Sequence, residues 1–181
     1  MVTTLCSDAV HRSTRHLRRA WFAGVLTVLA STPIYAQWND VESTRSASKR
    51  EALVLSENTA ELRIWLDEEH AVRMQFKLAP GLVGIAPHEC VTIQVDTLAI
   101  QDLSAATHEC SSAGQSAQLL LTRAQNGQIN SPMLRNLMNG RGVTLRYRLS
   151  HAGYGSEQFS LKRSKQALSD ALGENVTIIV E

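Results

Sequence analysis

Two copies of one tripeptide, His88-Glu89-Cys90 and His108-Glu109-Cys110, carry the most concentrated set of metal-binding donors in the chain. Two thiols and two imidazoles are the ligand types of a tetrahedral zinc site, which makes His88, Cys90, His108 and Cys110 candidate metal ligands. The spacing fits such a site poorly. In an extended H-x-C segment the two side chains share a face but stand about 7 Å apart, and the short Cys-to-Cys spacing of a zinc knuckle is missing. The competing chemistry is oxidation. Cys6 is the one other cysteine and lies in a segment that reads as a cleaved leader. That leaves two cysteines in an exported chain, and these are expected to pair as Cys90–Cys110. Closing a loop of about 20 residues contributes roughly 3 kcal/mol in the chain-entropy model. The disulfide is the expected state, metal is the alternative, and no cofactor is expected.

No residue is set up as a nucleophile. None of the serines sits in a G-x-S-x-G turn, and oxidation of the cysteine pair leaves no free thiolate. Ser150-His151 reads as the surface end of a strand. Asp67-Glu68-Glu69 lacks the alternating acids and the glycine of a calcium loop, so it reads as a solvated hairpin tip. Gly153-Tyr154-Gly155 has neither the third glycine nor the following lysine of a phosphate cradle. What these segments offer is exposed surface for a partner: Tyr154 on one loop, and Asp67, Glu68 and Glu69 on another. No enzyme activity is expected.

The elements that position these residues begin after a leader. Arg12, Arg15, Arg18 and Arg19 precede an uncharged stretch that begins at Ala20, lasts until Asp40 and contains the apolar run Trp21 to Ala30. Pro33 breaks that run and Ile34-Tyr35-Ala36 ends in the small residue a signal peptidase accepts, so residues 1–36 read as a signal peptide. The run is shorter than the roughly 20 apolar residues of a membrane span, and no stable span is expected after cleavage. The whole chain has 18 basic and 17 acidic residues. The leader holds four of the arginines and one aspartate, which leaves a mature net charge of −2. With that balance and only 5% aromatic residues, nucleic acid is not an expected partner.

Residues 37–181 are enough for one domain. Residues 37–50, rich in Ser and charge, read as a flexible lead-in, and 51–181 as a single β-rich domain. Leu62, Ile64 and Leu66, then Val72, Met74, Phe76 and Leu78, alternate with polar residues as half-buried strands do. Val91, Ile93 and Val95 form another, with a partner around Leu98, Ile100 and Leu103. Gln118 to Thr122 is a short buried run. Val143, Leu145, Tyr147 and Leu149 make the clearest alternation, Phe159 and Leu161 begin a further strand, and Val176 to Val180 closes the chain. Ser131-Pro132 opens a helix that ends at Gly140, with Met133, Leu134, Leu137 and Met138 on one face. A second helix runs from Ser164 to Leu172 and stops at Gly173. The expected fold is mainly β: an antiparallel β-sandwich or partly open barrel with two short helices.

Two segments resemble the invasion-associated locus B family of bacterial exported proteins. Gln158-Phe159-Ser160-Leu161-Lys162 followed by Ala167-Leu168 is similar to that family's closing S-L-K-G-F-x-x-A-L signature. Cys110-Ser111-Ser112-Ala113-Gly114 with Ala117 beyond is similar to its C-x-x-x-G-C-x-A segment. The resemblance spans roughly residues 91–172 and departs from the family at Gln115, in place of its second cysteine, and at Arg163 and Ser164. It implies a periplasmic or cell-surface β-sandwich without catalytic residues, associated with host-cell entry, in which Cys110 has taken Cys90 as its partner. The expectation is therefore an exported, non-enzymatic envelope protein, periplasmic or extracellular, that binds a protein or another envelope component. The alternative is a metal-binding protein or metal-dependent enzyme built on the two His-Glu-Cys segments.

Overall fold

The alternating segments around Leu62 and Met74 form the central hairpin of the larger of two main sheets. The computed structural model describes residues 38–42, 50–102, 109–151, 153–173 and 176–179, all within the unit Ile34–Glu181. The expected leader, residues 1–36, lies outside the described residues. Strands β3 (Glu61–Leu66) and β4 (Ala71–Lys77) pair antiparallel, with Leu62 opposite Phe76 and Ile64 opposite Met74. These four side chains are fully buried, whereas Arg63, Gln75 and Lys77 occupy the other face, as a period of two requires. On one side β3 is followed by β2 (Arg50–Leu55) and β1 (Asn39–Glu42). On the other, β4 pairs with β8 (Ser116–Arg123), which pairs with β7 (Cys110–Ala113).

The second sheet has the order β11-β10-β5-β6, with β5 at Thr92–Val95, β6 at Gln101–Asp102, β10 at Gly142–Arg148 and β11 at Tyr154–Ser160. A short parallel pair, β9 (Gln128–Ile129) with β12 (Thr177–Ile178), completes the strands. The two main sheets share one apolar core. Phe76 of the first meets Tyr147 and Phe159 of the second, with ring centroids 5.2 and 6.1 Å apart. The result is a sandwich-like antiparallel fold, and no closed barrel forms among the described residues.

Both expected helices are present. In α1 (Pro132–Asn139) Ser131 Oγ accepts the Leu134 N–H at 3.3 Å, Pro132 opens the first turn, and the apolar stripe Met133, Leu134, Leu137 and Met138 is buried. In α2 (Ser164–Leu172) Ala167, Leu168 and Leu172 enter the same core as Ala52 and Val54. Ser164 Oγ donates to the Leu137 carbonyl at 2.7 Å and so ties the two helices together.

Two local readings change, and the expected buried run in β8 gains its structural reason. Part of the expected flexible lead-in is structured: Trp38 is buried, its indole N–H donates to the Ser160 carbonyl at 2.7 Å, and β1 pairs with β2. One large aromatic with a satisfied polar end can offset the ordering of a short strand. Residues 43–49 lie outside the described residues. The run Leu119-Leu120-Leu121 is buried throughout because the register between β4 and β8 shifts after Val72, so that Leu120 faces Arg73 and Thr122 faces Val72. Leu121 is the extra residue of a bulge. Finally, β5 pairs on one side with β10, and the partner expected around Leu98 to Leu103 is the two-residue β6, with Leu98 and Ile100 exposed.

Candidate functional site

Among the described residues β11 is the last strand of its sheet, paired on one side only, to β10. Its inward positions are Gly155, Glu157 and Phe159, and its outward positions are Tyr154, Ser156 and Gln158. Hydrogen bonds at both ends fix which backbone groups face β10. The Leu149 N–H donates to the Gly153 carbonyl at 3.0 Å, and the Leu161 N–H donates to the Arg141 carbonyl at 2.9 Å. Antiparallel ladders alternate, so the odd-numbered residues of β11 bond to β10 and the even-numbered ones point away from it. The Ser160 carbonyl obeys this rule, since it is the group that accepts from Trp38. The N–H and C=O groups of Ser156 and Gln158 therefore project from the sheet with no backbone partner among the described residues.

A cavity of about 590 Å³ borders this edge. Its lining includes the five consecutive residues from Ser156 to Ser160 and, across the ladder, Arg141 to Thr144 with Asp96. The cavity therefore reaches from the free side of β11 over the β10–β11 pair. The opposite wall includes Glu57 and Asn58, from the turn between β2 and β3. At one end Asp96 accepts the N–H groups of Arg141 and Gly142 at 2.9 to 3.1 Å, so its carboxylate is spent on holding that turn.

Glu157 is the unusual group. Its side chain is directed inward and the residue is only 5% exposed. Among the described residues its carboxylate receives hydrogen bonds from one side chain, the Asn58 amide, at 3.3 and 3.2 Å. A carboxylate offers about four acceptor positions, and a buried one without a cation is undersupplied. Its charge is felt nearby: burial first, and then the negative Glu157, push the Tyr147 phenol above its ordinary range. The site offers a carboxylate, an amide, hydroxyls and free backbone groups. That set can hold a cationic or hydrogen-bonding ligand.

The residues expected from sequence fall in different places. Tyr154 begins β11 and is 81% exposed, so it stands at the end of the same free edge. Asp67, Glu68 and Glu69 belong to the β3–β4 turn of the other sheet. Asp67 accepts the N–H groups of Glu69 and Ala71 at 2.9 and 2.8 Å and pairs with Arg73 at 2.6 Å. Glu69 pairs with Arg123 at 3.5 Å. The tip is thus a turn-holding, charge-matched structure. Burial pushes the Asp67 carboxyl up, but the Arg73 guanidinium and the two N–H groups outweigh it and hold the group below its ordinary value.

Cys90 and Cys110 form a disulfide with their Cα atoms 5.9 Å apart, which joins the loop before β5 to β7 and so links the two sheets. This corrects the metal alternative: both sulfurs that it required are consumed, so neither cysteine can supply a thiolate. Of the remaining ligands in that set, His88 lies in the loop before Cys90, and His108 is outside the described residues. Glu157 and Asn58 were not singled out in the sequence. A signal was present, because Glu157 stands in phase with Phe159 and Leu161 on the buried face.

Comparison with protein-family models, curated proteins and solved structures finds no match to this chain. The resemblance to the invasion-associated locus B family rests on the quoted motifs alone.

Proposed function

We propose that this chain is an exported, non-enzymatic envelope protein that binds a protein or another envelope component through the surface formed by Tyr154 and the free edge of β11. The observation that carries this reading is a largely exposed tyrosine at the end of a strand that, among the described residues, is paired on one side only. Tyrosine supplies a large amphipathic contact at low entropic cost, and unpaired backbone supplies directional hydrogen bonds. Export is supported by the basic and apolar leader pattern and by the Cys90–Cys110 bond, which is compatible with an oxidising compartment. Among the described residues no helix is long and apolar enough to cross a membrane. The motif resemblance supports a place in the bacterial envelope and, more finely, a link to host-cell contact.

A photo-crosslinking residue placed at position 154 tests this in living cells, with position 100 as an exposed control. The expected result is an envelope-located adduct formed at 154 and not at 100, together with a native mass beginning at Gln37 that gains two hydrogens on reduction. Cytoplasmic protein with free thiols would sink the reading, as would a turnover abolished by one polar substitution.

A further inference from the structure

We infer that the cavity beside β11 receives an extended peptide strand from a partner protein, with a lysine or arginine of that strand seated against Glu157. The inference rests on the binding-module reading above and names the chemistry of its partner. Among the described residues, Ser156 and Gln158 present the donors and acceptors of a sheet edge, and the cavity that Glu57, Asn58 and Glu157 help to line borders that edge. An incoming strand would continue the β11-β10-β5-β6 sheet, its main chain supplying affinity and its alternate side chains specificity. The Trp38 bond to Ser160 closes one end of the groove, so the accessible stretch is Tyr154 to Gln158. That is room for about five residues, some 17 Å of strand.

Charge selects the residue. In an added strand the position opposite Glu157 points to the same face as Glu157, with Cβ atoms about 5 Å apart. A basic side chain there reaches a carboxylate that is buried and, among the described residues, supplied by one neutral amide. Glu57 on the opposite wall adds negative charge at the rim. A second copy of β11 does not meet this requirement. Its inward positions are Gly155, Glu157 and Phe159, which bring no cation and place a further carboxylate in the groove.

The probe is a blocked peptide of alternating threonine and valine with a central lysine, titrated calorimetrically into the oxidised protein. Binding is expected, with slowed amide exchange at Ser156 and Gln158. Replacing the lysine by norleucine, or N-methylating the residues that face β11, should weaken binding at least tenfold. Glu157→Gln should remove the preference for lysine over norleucine while leaving the fold intact, because the amide keeps an oxygen for Asn58. Gln158→Pro deletes an N–H that faces away from β10 and should lower the affinity of every peptide without disturbing the β10–β11 ladder. Absence of binding, equal binding of the norleucine or N-methylated peptide, or unchanged exchange at Ser156 and Gln158 would each overturn the inference. If the crosslinked adduct at position 154 forms equally in wild type and Gln158→Pro, the edge proposal falls and the binding-module reading stands. If wild type forms no adduct, the binding-module reading itself falls.

Discussion

The ring of Tyr147 lies against Gly155 on the neighbouring strand, so closely that a Cβ at 155 would stand 2.5 Å from Cε2 and Cζ. The aromatic fills the space that the glycine leaves empty, and this contact lets a strand of poor β propensity stay in the sheet. Gly155→Ala should therefore destabilise by about 1–3 kcal/mol through overpacking. Denaturant midpoints of the variant and wild type measure this, and Tyr147→Ala combined with Gly155→Ala should recover part of the loss that the glycine change causes.

The Cys90–Cys110 bond closes a loop with a sequence separation of 20 residues and joins the two sheets. Replacing both cysteines by alanine should cost about 3 kcal/mol. A denaturation curve under oxidising conditions reads the difference. Adding reductant should move wild type to the midpoint of the double variant and leave the variant unchanged.

Stability should fall in acid partly through Asp67. Its carboxyl is held below the ordinary value in the fold, so its contribution is complete above about pH 4 and is lost as the pH drops through the lower folded value. Asp67→Asn removes the charge that pairs with Arg73. The variant should be less stable than wild type at neutral pH, and the gap should close as the pH falls from about 4 through the lower folded value. Thermal midpoints across that range test the claim.

Tyr147 acts at the opposite end of the scale. Burial and the Glu157 charge raise its phenol above its ordinary value near 10. The stabilisation is therefore intact below that pH and lost as the pH rises through the higher folded value. Glu157→Gln removes the second cause and should lower the pH at which Tyr147 ionises. Ultraviolet titration, with Tyr147→Phe as the reference, separates this tyrosine from the others.

Much of the fold was legible in the sequence because one face of each clear strand is apolar. β3, β4, β5 and β10 carry alternation that survives in the structure, and α1 announces itself through Ser131, Pro132 and Gly140. β2 was not legible, since Glu51 is buried and Leu55 exposed, which inverts the expected correspondence of polarity and burial. The first half of β11 was hidden for another reason. Its inward positions are a glycine filled by a cross-strand ring and a glutamate met by an amide 99 residues away in sequence. The free edge has no local signature either, because whether a strand has one neighbour or two depends on the whole sheet order. Of the candidate site only Tyr154 stood out beforehand.

Joining Cys90 to Cys110 turns the chain between them into a covalent ring that carries β5 and β6. A protease that cuts one peptide bond inside this ring opens it without producing two molecules. The nicked protein keeps its mass apart from one added water and separates into two pieces only when reduced. Interruption of the main chain is thus tolerated chemically in this segment, while a cut anywhere else in the described residues splits the protein. The ring contains exposed Leu98 and Ile100 in the connection from β5 to β6, so these two exposed apolar side chains sit where cleavage does least damage to the connectivity of the chain.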